Sequence, residues 1–171
     1  MKTSTWPLAG NLIMRVSPFI ITLCLVLASI LPIYIQGYPG VLPLLTLMGV
    51  FHWAVYKPAL LPAYSVFFIG LIHDILHGFP LGVNTVVFLI IFGVVTSQHR
   101  FFFGKSFTVV WIGFGIVLAG SILMIWILMS LLNSTLIKVP IILFQYILTL
   151  GLYPVLGWCL LRWQKFLLKR V

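Results

Sequence analysis

The chain has 171 residues, 63% of them hydrophobic and 6% charged, with a mean hydropathy of +1.25 and a net charge of +9. A soluble domain carries about a quarter charged residues, so this chain cannot bury its apolar surface within itself and must have lipid as its solvent. Its basic residues sit singly or in short groups at the ends of apolar runs. They read as topology signals and contacts to membrane lipid, not as a nucleic-acid face.

In chain order, residues 1–16 form a short, basic lead-in. No small-x-small cleavage site follows, so the first apolar run, 17–35, is a retained span and not a signal peptide. Gln36 to Gly40 make an uncharged turn. A second span, 41–56, is short for a bilayer. It ends at Lys57-Pro58, because proline disfavours helix at the residue before it. A third span covers 60–77 and a fourth 81–98. The few residues between them make the two antiparallel neighbours. His99 to Lys105 form a basic, aromatic interfacial loop. A long fifth span covers 106–132, a sixth 139–161, and a basic tail closes the chain. The expected fold is therefore all-α: one integral membrane domain, 1–171, built as a bundle of six transmembrane helices.

The lysines and arginines orient that bundle. With six spans, Lys2, Arg15, Lys57, Arg100, Lys105, Arg162, Lys165, Lys169 and Arg170 share one side, and Lys138 stands alone on the other. The positive-inside rule then places both termini in the cytoplasm, with the turn at 78–82 outside.

Within this apolar chain lies Asp74, its only acidic residue. A carboxylate at the centre of a membrane helix costs roughly 2.5–3.5 kcal/mol, and less near an end. His73, Asp74, His77 and Gly70 fall on one helical face, and the stretch stops at Gly78 before turning through Pro80 and Gly82. A proton relay needs a chain of ionisable groups, yet no second acid follows. A metal site wants three or four ligands with supporting partners. No catalytic, cofactor or metal residues are assigned. The preferred reading is a buried polar lock in which Asp74 accepts hydrogen bonds that fix the turn. Its donors are Lys138, the side chains of Asn84 or Thr85, or the backbone amides at the head of the fourth span, since a helix N-terminus favours an anion.

Other features are weaker. Cys24 and Cys159 lie in apolar runs, which argues against a disulfide or metal framework. Gln145 and Thr149 share a helical face near Tyr146 and Tyr153, and read as interhelical hydrogen bonding or the lining of a small cavity. Gly115 and Ala119 form a small-xxx-small pair that allows close helix approach. No nucleophile–base or phosphate-loop motif is present.

The stretch Gly70-Leu71-x-x-Asp74-x-x-x-Gly78-x-Pro80-Leu81-Gly82, preceded by Trp53, Lys57-Pro58 and Leu61-Pro62, resembles the signature of MreD, the rod shape-determining membrane protein family of bacteria. His73 departs from the pattern, where an apolar residue is expected. The detailed resemblance covers about residues 50–90. It implies a non-enzymatic scaffold of the inner membrane that binds an MreC-like bitopic partner. Through it the chain would connect to MreB-like filaments and a RodA-type synthase complex in lateral peptidoglycan synthesis. Gly70, Asp74, Gly78, Pro80, Leu81 and Gly82 would be the structural and partner-positioning motif. The alternative is a small-molecule transport subunit with a ligand site near Asp74.

Overall fold

The computed structural model describes residues 6–30, 42–102, 104–133 and 139–168. All secondary structure among these residues is helical: α1 (Trp6–Ala28), α2 (Leu45–Tyr56), α3 (Ala63–His77), α4 (Val83–Ser97), the short α5 (His99–Phe102), α6 (Phe107–Asn133) and α7 (Val139–Leu168), with a 3₁₀ turn at Pro58–Leu60.

Two helices are long and apolar enough to cross a membrane, over Phe107–Leu132 and Pro140–Trp163. The apolar helices α2, α3 and α4 are shorter, with 12, 15 and 15 residues. At 1.5 Å per residue they reach about 18–22 Å, against a hydrocarbon core of about 30 Å.

The centre of the molecule is α2. Apolar all round, it is buried all round, from Thr46 to Val55. It packs against α1, α4 and α7. A side-chain carbon on Gly49 would stand 2.9 Å from Leu25 Cδ1 and 3.2 Å from Thr22 Cγ2, so glycine lets α1 lie close. On another side, Phe51 meets Phe114 and Tyr153 edge-on, and the last two rings stack 4.1 Å apart. The outer helices differ. α6 is equally apolar, yet Ile116 is 71% and Leu131 79% exposed. A helix apolar on every face and covered on one presents the rest to lipid or to a partner.

Element limits depart from the sequence expectation at both ends. The lead-in is already helical from Trp6, and α1 runs through Pro18 to Ala28. The expected end of the first span, 31–35, lies outside the described residues. α7 continues to Leu168, well into the basic tail. The segment expected as a plain interfacial loop contains α5, held by His99 Nδ1 against the Val55 carbonyl at 2.6 Å. Lys57 leaves helical geometry at φ −150°, as Pro58 requires.

Candidate functional site

The site is the junction of α3 and α4. α3 ends at Gly78, which takes left-handed geometry at φ 67°. The amides of Gly78 and Phe79 both donate to the backbone carbonyl of Asp74. The Phe79 bond, at 3.0 Å, spans six residues and closes the helix end in the Schellman manner. The chain turns through Pro80 and reaches Gly82, again left-handed at φ 100°. Neither glycine would crowd a side chain, since nothing lies within 4 Å. They are needed for their backbone angles.

Gly82 is the N-cap of α4 and has no side chain to offer its orphan amides. Asp74 supplies the cap from the neighbouring helix. Its Oδ1 accepts from the Asn84 amide at 3.1 Å and from Asn84 Nδ2 at 2.8 Å. Its Oδ2 accepts from the Gly82 amide at 2.9 Å, the Thr85 amide at 3.3 Å and the Thr85 hydroxyl at 3.1 Å. An N-cap aspartate bonds the second and third amides of its own helix; here the same two amides are reached from ten and eleven residues upstream. Asp74 has no solvent exposure. Two carboxylate oxygens offer about four lone-pair directions, and five donors fill them. The helix N-terminus adds its partial positive charge. Two of the expected kinds of donor, the Asn84 and Thr85 side chains and the backbone amides, act together. The third, Lys138, lies outside the described residues.

Gly70 belongs to this site for want of a side chain. A Cβ there would stand 2.6 Å from Thr85 Cα, so α3 and α4 touch backbone to backbone one turn before Asp74. That approach brings Thr85 onto the carboxylate. Leu81 is the exception in the motif: it is 68% exposed at the tip of the turn.

The expected single polar face divides in two. Asp74 and Gly70 face α4, whereas His73 and His77 stack on each other, 4.0 Å between ring centroids. No hydrogen bond joins either imidazole to the carboxylate among the described residues. His73 is buried, its ring edge-to-face with that of Phe88, and its Nδ1 has no hydrogen-bond partner among the described residues. His77 reaches α1 through Ser29 at 3.1 Å. Ser29 lies within the first apolar run, 17–35, and nothing in the sequence marks it for this contact.

Gln145 and Thr149 act as interhelical hydrogen-bonding groups. Gln145 Nε2 donates to the Leu42 carbonyl at 2.9 Å, and Thr149 Oγ1 accepts the Leu44 amide at 3.2 Å while donating to the Gln145 carbonyl. Leu44 is the N-cap of α2 and has no capping side chain, so α2, like α4, is served at its N-terminus by another helix. Gly115 and Ala119 lie in an open, apolar groove of about 520 Å³ between α6 and α7, together with Ile112, Ile116, Tyr146 and Leu150. The two helices are tied there by Tyr146 donating to the Gly115 carbonyl and by Trp111 donating to the Leu150 carbonyl. Comparison with protein-family models, curated proteins and solved structures finds no match to this chain.

Proposed function

We propose that the chain is a non-enzymatic scaffold of the bacterial inner membrane. In this reading it crosses the bilayer six times with both termini in the cytoplasm. It binds an MreC-like bitopic partner and so supports rod shape and lateral peptidoglycan synthesis. The observation that carries the reading is the use made of Asp74. The one acidic side chain is spent on five hydrogen bonds that cap α4 and fix the turn. A carboxylate that carries protons or grips a substrate needs lone pairs to offer; this one has none to spare.

Three further observations support it. Gly70, Gly78, Pro80 and Gly82 each have a backbone task in positioning the turn, as a partner-positioning motif requires. Leu81 has no core to fill and stands exposed, as do Ile75 and Leu76 in the last turn of α3. Exposed apolar residues of α6 and α7 flank an open apolar groove, which suits a bitopic partner's span. The nine-to-one division of basic residues supplies the orientation. Affinity purification of the tagged chain from native membranes, followed by identification of what accompanies it, tests the proposal. A bitopic protein with a large extracytoplasmic domain is expected in stoichiometric amount. A solute that co-purifies in place of any protein would contradict it.

A further inference from the structure

The end of α1 meets the end of α3 through a chain of hydrogen bonds that the Asp74 cap does not use. Ser29 Oγ lies 2.6 Å from the Val26 carbonyl and 3.1 Å from His77 Nε2. On its other side, His77 Nδ1 lies 2.9 Å from the His73 carbonyl. A carbonyl only accepts, so Nδ1 carries a proton. Ser29 has a single hydroxyl proton. While that proton serves the Val26 carbonyl, the Ser29 oxygen can only accept from His77, and Nε2 must be protonated too. Both ring nitrogens then donate, which is the imidazolium form.

We propose that His77 is a proton-binding site that latches α1 to α3. With both nitrogens protonated, every group in the chain from Val26 to His73 is satisfied. When Nε2 loses its proton, the Ser29 hydroxyl must choose between Val26 and the bare nitrogen, and one contact between the helices or one within α1 is given up. His77 lies in the last turn of α3, with Asp74 one turn back. The His73 ring stacks on it and Phe79 lies 6.5 Å away. From the other elements packed against α3, α4 brings no titratable side chain. Among the described side chains of α1, Cys24 is the titratable one, and it lies more than a turn before Ser29.

The test uses the full chain, ¹⁵N-labelled at histidine, in phosphatidylglycerol-containing nanodiscs between about pH 5 and pH 8, where histidine changes charge. His77 is expected to show two protonated nitrogens at the acid end and to lose the Nε2 proton, keeping Nδ1–H, at the alkaline end. In a Cys159→Ser background, the distance distribution between spin labels at Cys24 and Phe67→Cys is expected to broaden over the same interval. It should be insensitive to pH in His77→Gln and equally broad at both ends in Ser29→Ala, while His73→Gln keeps the wild-type response. A neutral His77 whose proton sits on Nε2, a wild-type distribution unmoved by pH, or a response that survives His77→Gln would each overturn the latch.

Discussion

Gly70 and Thr85 are in backbone contact: a methyl group on the glycine would sit 2.6 Å from the threonine Cα and 3.0 Å from its Oγ1. This approach sets the α3–α4 spacing at the level where Asp74 meets the head of α4. Gly70→Ala is therefore expected to push the helices apart and lengthen the Thr85 bonds to the carboxylate. Overpacking of this kind costs about 1–3 kcal/mol. Gly93→Ala, which faces open space in mid-α4, is the matched control. Thermal unfolding of both variants in the same detergent should separate them; equal midpoints would argue against the contact.

The turn makes a different demand. Gly78 and Gly82 have room for a side chain but adopt φ 67° and 100°. Left-handed geometry costs an L-residue roughly 1–2 kcal/mol, and a β-branched residue resists it most. Gly78→Val and Gly82→Val are expected to lower the folded, membrane-inserted level, and Gly93→Val to leave it close to wild type. Gly78→Asn should be milder than Gly78→Val, because asparagine tolerates this region.

Leu81 separates positioning from contact. Its side chain is 68% exposed, so Leu81→Ser is expected to change stability by less than about 0.5 kcal/mol, as surface substitutions usually do. In the scaffold reading it should nevertheless reduce the partner recovered per inserted chain. Quantitative co-purification checks this, and full recovery of the partner would remove Leu81 from the contact surface.

The cap on α2 is testable in the same way. Thr149→Val keeps the shape of the side chain and removes the acceptor for the buried Leu44 amide. A stranded donor costs about 1–3 kcal/mol. Thr149→Ser should restore most of that stability in a denaturation series; a valine variant as stable as the serine one would contradict the capping role.

Much of the site is legible in the sequence because it is local. A glycine stop, a proline and a second glycine within a few residues define a turn between two apolar runs, and Asn84, Thr85 and the head of α4 are then the nearest donors to Asp74. What is not legible depends on distance along the chain or on backbone geometry. Ser29 meets His77 from 48 residues away, and helical spacing says nothing of α1. Spacing also joins Asp74 with His73 and His77 on one face, whereas α4 claims the carboxylate and α1 claims His77. Gly70 reads as one more residue on a polar face; its use as a gap appears only once Thr85 stands opposite. The start of α1 at Trp6 is hidden because the lead-in is mixed, with Pro7, Gly10, Asn11 and Arg15 interrupting its apolar residues before the continuous run begins.

In the scaffold reading, Asp74 caps α4 and positions the turn, and carries no protons. Asp74→Asn keeps one acceptor oxygen, and rotation of the Asn84 amide can offer an oxygen to the new NH₂ group. Asp74→Leu removes both acceptors; losing a cap costs about 0.5–2 kcal/mol and stranding a buried donor about 1–3 kcal/mol more. The most direct measurement is rod shape restored by each variant at matched levels of inserted protein, with the co-purified partner scored in the same cells. Partial restoration is expected for Asp74→Asn, with partner retained, and loss of shape and partner together for Asp74→Leu. An Asp74→Asn chain that is inserted and holds its partner, yet restores no shape at all, would contradict that reading.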